Sequence, residues 1–258
     1  MSKRQWQSGV RVILAAGLMI GAVAVAPADA QIVRVGSSDT RNTVTFNLGY
    51  FALTGAESRV DDDAIVPNLI DLAKREDLEP LEIGDFNTVS FGGEWTYGIT
   101  DYLEVGAGVG FYRKTVETAY ARETHEDQSD IAQDLKLKIV PITASVRFLP
   151  FGRGAAVQPY AGVGIGIFNW RYTEIGEFID ADGFVFSNVQ DPFDKSGTAV
   201  GPVVLFGLRA PIGDAWSIGA DFRWQKADDD GLLEEDDFLG DKIDLGGWTS
   251  SVTFGFRF

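Results

Sequence analysis

The sequence predicts an all-β chain: an eight-stranded antiparallel up-and-down transmembrane β-barrel with long extracellular loops at one end and short periplasmic turns at the other. Three observations carry the prediction. Apolar residues recur at every second position over segments of about ten residues, the length of a tilted membrane strand. The opposite parity of the same segments holds glycine, small polar residues and a few charges, too little to coat a soluble strand. Tight turns alternate with long acidic connections along the chain.

Composition narrows the field first. Of 258 residues, 45% are hydrophobic, enough to rule out wholesale disorder. Cysteine is absent, which excludes disulfide frameworks, thiolate metal centres and a cysteine-anchored lipid. The net charge of −16 argues against nucleic acid, whose phosphates call for Lys and Arg. The first thirty residues read as a cleaved signal peptide: Lys3, Arg4 and Arg11, an apolar run from Val12 to Ala26, then Ala28-Asp29-Ala30. The apolar run is too short for a membrane helix, which needs about 20 residues. Cleavage there leaves a mature chain near −18, with 31–42 as a short periplasmic segment and 43–258 as the barrel. No other stretch suits a membrane helix, so any crossing is made by strands.

The eight segments follow in order. TVTFNLGYFAL (43–53) aligns Val44, Phe46, Leu48 and Tyr50, and FNTVSFGGEWTYGI (86–99) aligns Val89, Phe91, Trp95 and Tyr97. YLEVGAGVGFY (102–112) and LKIVPITASVRF (137–148) continue the pattern with Leu103 to Phe111 and Val140 to Phe148. VQPYAGVGIGIFNW (157–170) places Val163, Ile165 and Ile167 together, and AVGPVVLFGLRA (199–210) places Val204, Phe206 and Leu208 together. AWSIGADFRWQ (215–225) and GWTSSVTFGFRF (247–258) close the series. Three connections are tight, at Thr100-Asp101, 150–154 and 211–214; four are long, about 54–85, 113–136, 171–197 and 227–246. That alternation suits a meander whose termini both lie on the short-turn side. In the first loop, Leu69, Ile70, Leu72 and Ala73 form a short helix-like patch expected to fold over the barrel mouth.

Which face meets water follows from what the strands offer. Glu94, Thr96, Glu104, Ser145, Arg147, Asp221 and Arg257 share one parity with most of the glycines, and the aromatics take the other. Apolar side chains therefore face lipid, and small or charged ones fill the narrow interior. Trp95, Tyr97, Phe148, Trp216, Trp224, Trp248 and Phe258 suit interfacial girdles. QPYAGVGIGIFNW, ITDYLEVGAGVGFY and the terminal SVTFGFRF resemble strands of the small OmpA/OmpW-like outer-membrane barrels, over nearly the whole mature chain. The resemblance implies that Phe254, Phe256 and Phe258 serve as the signal read by the barrel-assembly machinery. It also implies residence in the bacterial outer membrane, among outer-membrane lipid and lipopolysaccharide. Longer members carry a periplasmic domain after the barrel; none follows Phe258, so tethering to the cell wall is not expected.

Candidate chemistry is sparse. Inside the barrel, Glu94, Glu104 and Asp221 face Arg147, Arg209, Arg223 and Arg257, a set expected to pair because an unpaired buried charge costs several kcal/mol. Such a network either plugs the lumen or simply fixes register. Glu104, Arg147, Arg209 and Arg257 are expected near the periplasmic end, with Glu94, Asp221 and Arg223 higher. The one histidine, His125, sits among Glu123, Glu126, Asp127 and Ser129; neighbours in a loop are not a catalytic geometry, and no enzyme is expected. Asp228, Asp230, Glu234 and Asp236 lie in DDDGLLEEDDFLGD, which fails the spacing of a calcium loop; these carboxylates are weak candidates to hold Ca²⁺ or Mg²⁺ loosely, bridging to lipopolysaccharide, and the simpler account is a solvated acidic surface. No cofactor is expected. The expected role is structural or surface-interactive, with an extracellular ligand the sequence does not name. A narrow conduit for small or hydrophobic solutes is the alternative, and a lipid-modifying enzyme using His125 stands third.

Overall fold

The computed structural model describes residues 40–180, 182–232 and 238–258. The expected signal peptide and most of the segment 31–42 lie outside the described residues. The long strands are β1 (Asn42–Leu53), β2 (Thr88–Gly98), β3 (Leu103–Thr124), β4 (Asp130–Phe148), β5 (Gln158–Ile179), β6 (Phe193–Ile212), β7 (Trp216–Gln225) and β8 (Gly247–Arg257). Each pairs antiparallel with the next, and β8 pairs with β1 from Thr43↔Arg257 to Leu53↔Gly247. The sheet is a closed ring. Closure satisfies the backbone of every strand without water, the condition for crossing hydrocarbon with strands. Among the described residues no helix is long and apolar enough to cross a membrane.

The greasy parity faces out. Phe46, Val163 and Val252 are each more than 60% exposed, while Thr96, Glu104, Arg147, Arg209 and Asp221 are buried inside the ring. Aromatics gather at two levels of the outer surface. Trp216 stacks on Phe254 with centroids 5.1 Å apart near the short turns, and Trp224 lies 6.4 Å from Trp248 at the other end of β7. Eight residues of strand separate the two levels, about 20 Å after tilt, close to the height of an outer-membrane apolar band.

The second and third long connections depart from expectation. Residues 113–136 and 171–197 are mostly strand: β3 and β5 run 22 residues each, and only 125–129 and 180–192 separate the long strands there. The reason is an inversion of polarity at constant parity. Along β4, Phe148, Val146, Ala144 and Ile142 face outward, and then so do Lys138, Lys136 and Asp134. Over the same rise the inner face changes from Arg147, Ser145 and Thr143 to Ile139, Leu137 and Leu135, which are buried. β3 changes at Phe111/Arg113 and β5 at Ile167/Asn169 in the same way. Below the change the wall suits lipid outside and a polar interior; above it, the wall is an ordinary soluble sheet. Strands β3 to β6 thus stand as a tall half-wall beside β1, β2, β7 and β8, which end near the change.

Inward glycines let the strands fill the narrow ring. A β-carbon on Gly164 would collide with the Ala144 carbonyl oxygen and sit 3.0 Å from Ser145 Cα, both backbone and unable to yield. Gly93, by contrast, has only the Thr45 carbonyl oxygen at 3.8 Å. Gly164→Val is therefore expected to abolish most of the compact, fast-migrating band on an unheated gel, whereas Gly93→Ala leaves it; overpacking of this kind costs about 1–3 kcal/mol or more.

Candidate functional site

Side chains crowd the lumen at two levels, with different chemistry at each. Nearest the short turns, Glu104 is 1% exposed and accepts from Arg209 Nη2 at 2.8 Å, while Arg153 Nε lies 3.3 Å from the same carboxylate. Arg209 Nε also donates to Gln158 Oε1 at 2.9 Å, and Arg153 donates to the carbonyls of Thr40 and Arg41 at 3.0 and 3.3 Å. Gly98 makes room for that guanidinium, since a β-carbon there would land on it. Arg257 is buried at this level, within electrostatic reach of Arg209, Arg153 and Glu104.

One layer higher, Glu94 pairs with Arg147 and accepts from Arg223 Nη2 at 3.4 Å. Arg223 Nε stands 4.0 Å from Asp221, whose other oxygen accepts from Tyr160 Oη at 3.0 Å; the Arg147 guanidinium covers the Tyr160 ring at 4.9 Å. The structure thus brings the predicted set together in two tiers, with one shift. Glu104 and Arg147 are direct register partners, yet Arg147 reaches up to Glu94 instead of pairing across the ladder.

Arg153, Gln158 and Tyr160 escaped the sequence analysis. Tyr160 and Gln158 share the inward parity of Gly162, Gly164 and Gly166, a signal that was available. Arg153 sits in a turn, outside any strand periodicity, and carried no such signal.

The upper level is apolar. The connection 54–87 turns inward against the tall wall, its Leu72–Lys74 segment pairing with Thr118–Tyr120 of β3. The helix-like patch is a single turn, Asn68–Asp71, followed by that strand; Leu72 and Ala73 are buried and Ile70 is 69% exposed. Ile65, Leu81 and Phe86 from this connection meet Ile243, Leu245 and Phe238 from the last one, over Tyr112, Leu137, Phe168 and Tyr172 of the wall. A buried polar clasp joins the two connections. Arg59 Nη2 donates to Asp63 at 2.8 Å and to the Asp244 carbonyl at 2.7 Å, and the Asp244 amide donates to Asp63 Oδ2 at 2.7 Å.

Glu174 is the odd group in this cap. It lies on β5 above the change of polarity, is 4% exposed, and accepts from Asn68 Nδ2 at 2.7 Å and Tyr172 Oη at 2.8 Å. Burial lifts its carboxyl to about 7 despite those two donors.

Between the two levels lies a cavity of about 50 Å³, room for a few waters, lined by Asn47, Phe51, Tyr112, Ile139, Asp221 and Arg223. Phe91 and Phe111 of the outer face border it too. Here the β3–β4 ladder lapses: pairing skips from Val109↔Ile142 to Tyr112↔Ile139, because Pro141 has no N–H to give.

The remaining candidates fall elsewhere. His125 Nε2 lies 3.0 Å from Glu177 Oε2, and Ser129 Oγ donates to Asp127 at 2.6 Å, so the imidazole and the hydroxyl take separate partners although the His125 amide donates to the Ser129 carbonyl at 2.9 Å. Asp228 joins a two-residue ribbon opposite Asp244; Glu234 and Asp236 lie outside the described residues. Among the described residues no cluster of three or more His, Asp or Glu could hold a metal. Phe254, Phe256 and Phe258 face outward, Phe256 stacking on Phe258 at 6.0 Å.

The sequence model of the outer membrane protein beta-barrel domain matches residues 13–258. No curated protein matches the chain. Among solved structures it is similar to the outer membrane protein OprG from Pseudomonas aeruginosa, with 14% identity, TM-score 0.46, and coverage of 85% of this chain and 96% of that one. It is also similar to the N-terminal β-barrel domain of Pseudomonas aeruginosa OprF, with 13% identity, TM-score 0.40, and coverage of 85% and 98%. Ail, the attachment invasion locus protein of Yersinia pestis, in complex with the heparin analogue sucrose octasulfate, gives 14% identity, TM-score 0.40, and coverage of 84% and 99%.

Proposed function

The chain belongs to the outer-membrane β-barrel family and hence to the bacterial outer membrane, and from that premise we propose a closed eight-stranded barrel whose role is structural and surface-interactive. Its short turns face the periplasm and its tall wall faces outward. The observation that carries this is the double closure: an arginine–carboxylate network below and an apolar, loop-built cap above. A buried network fixes register whatever else it does; two closures in series also deny a continuous water path. We propose no catalytic role, since the His125 imidazole is engaged by the Glu177 carboxylate at 3.0 Å rather than by a serine hydroxyl. Lipopolysaccharide, the barrel-assembly machinery reading Phe254, Phe256 and Phe258, and an outer ligand remain the partners proposed.

A second role has one observation in its favour. The cavity between the closures is bordered by Phe91 and Phe111, whose side chains are exposed, where the ladder lapses beside Pro141. A small apolar solute entering through the cap would find a sideways exit into lipid there. A planar-bilayer recording of the detergent-folded protein tests the main proposal. It is expected to give no stable single-channel steps; steady steps from the unaltered protein would retire the plug.

A further inference from the structure

Just above the apolar band, three adjacent strands turn cations outward at one level. Arg113 on β3 is the register partner of Lys138 on β4, and Lys138 is the partner of Arg171 on β5. All three are exposed. One row higher, Lys136 stands between Thr115 and Thr173. With strands about 4.8 Å apart, the lower row spans about 10 Å. Like charges placed directly opposite across a ladder destabilise it, and a chain of net charge −16 has few cations to spare.

Local carboxylates answer only part of this charge. Arg171 is held by Asp194, with Nε donating at 2.7 Å and Nη2 at 2.6 Å, and Lys136 lies 3.6 Å from Asp134. Arg113 and Lys138 form no ion pair with another described residue. Beneath the row come Phe111 and Val140 beside Asn169, and one row lower, at Val109, Ile142 and Ile167, the wall is wholly oily; these three and Phe111 are all exposed.

We propose that this row is a binding site for the phosphate groups of a lipid in the outer leaflet, whose acyl chains lie on Val109, Phe111, Ile142 and Ile167. The inference rests on the membrane placement proposed above. An anion spanning Arg113 and Lys138 removes their mutual repulsion, and the apolar strip below favours an amphiphile over a free anion. Guanidinium groups suit phosphate by offering paired donors.

The test uses the full detergent-folded chain and follows its heat-induced gel shift. Three additives are compared: bis-phosphorylated lipid A, the same lipid after phosphatase treatment, and inorganic phosphate. The phosphorylated lipid is expected to raise the transition temperature, with salt weakening the effect. The concentration giving half the rise is expected to increase at least about tenfold in Arg113→Gln/Lys138→Gln/Arg171→Gln. Lys138→Gln alone, at the centre of the row, gives a smaller shift in the same direction and serves if the triple variant folds poorly. An equal rise with the dephosphorylated lipid, or an unchanged response in the variants, overturns the site. An equal rise with inorganic phosphate overturns the assignment to a lipid. Flotation of wild type and variants with zwitterionic vesicles checks the membrane placement separately: its failure overturns both readings, its success leaves the site to the titration.

Discussion

Replacing Glu94 with alanine is expected to lower the unfolding free energy of the detergent-folded barrel by about 3–5 kcal/mol. Glu94 is the hub of the upper tier, shared by Arg147 and Arg223, and all three side chains are at most 17% exposed. Without it, Arg147 keeps the Tyr160 ring and the more distant charge of Asp221, and Arg223 keeps an Asp221 oxygen at 4.0 Å. Two guanidinium groups would then be buried without adequate compensation. The lumen already holds Arg147, Arg153, Arg209, Arg223 and Arg257 against Glu94, Glu104 and Asp221, so the deletion enlarges a positive surplus. Urea unfolding followed by tryptophan fluorescence measures the loss. The double variant Glu94→Gln/Arg147→Met should lose less than the sum of its parts, since removing both partners avoids the stranded charge. A loss under about 0.5 kcal/mol for Glu94→Ala would mean that water already solvates these groups, and the plug would then fail as an explanation.

The second large effect is one of pH. Glu174 has a carboxyl at about 7 in the folded cap, against 4.5 when free. The folded state therefore holds its proton more tightly than the unfolded one. Below about pH 4.5 both states are protonated and the group is neutral to stability. Between pH 4.5 and 7 the unfolded chain gives up the proton first, so cap stability falls as pH rises, and it levels off above 7. At 1.36 kcal/mol per unit the total is about 3 kcal/mol. Acid should thus tighten the cap. Hydrogen exchange of the amides in 64–73, compared at pH 5 and pH 8 after correction for intrinsic rates, is expected to show greater protection at the lower pH. Glu174→Gln keeps an acceptor for Asn68 and Tyr172 and is expected to erase the difference; a difference that survives in the glutamine variant would assign it to another group.

Much of this fold could be read from the chain because a strand's parity is a local property. The even positions of β4 face outward from Asp134 to Phe148 without a slip. What could not be read was where the strand ended, since the apolar residues that mark it hold one parity only as far as Val140. At Lys138 the apolar residues change sides, and a continuing strand looked like the start of a loop. The cap was hidden for a different reason. Arg59 and Asp244 are 185 positions apart, and contacts made across such a gap leave no period in the sequence. The lower seal was half visible: Glu104 and Arg209 lie on predicted inward positions, whereas Arg153 enters from a turn whose direction is fixed only once the ring closes. Loop acidity was legible as charge, but not the use of Asp63 and Asp244 as a clasp.

The uneven height of the ring has a practical result. Strands β3 and β5 run 22 residues, against 10 in β7. At about 3.3 Å per residue and a steep tilt, the tall side projects about 30 Å beyond the short one. The tight bend at 125–129, with Gln128 at φ 67°, and the turn marked by Gly183 at φ 85° crown that projection. In the proposed orientation, anything approaching the cell, an antibody or a phage tail, would touch these crests before it reached the rest of the molecule, and an epitope tag spliced into either should be legible on intact bacteria.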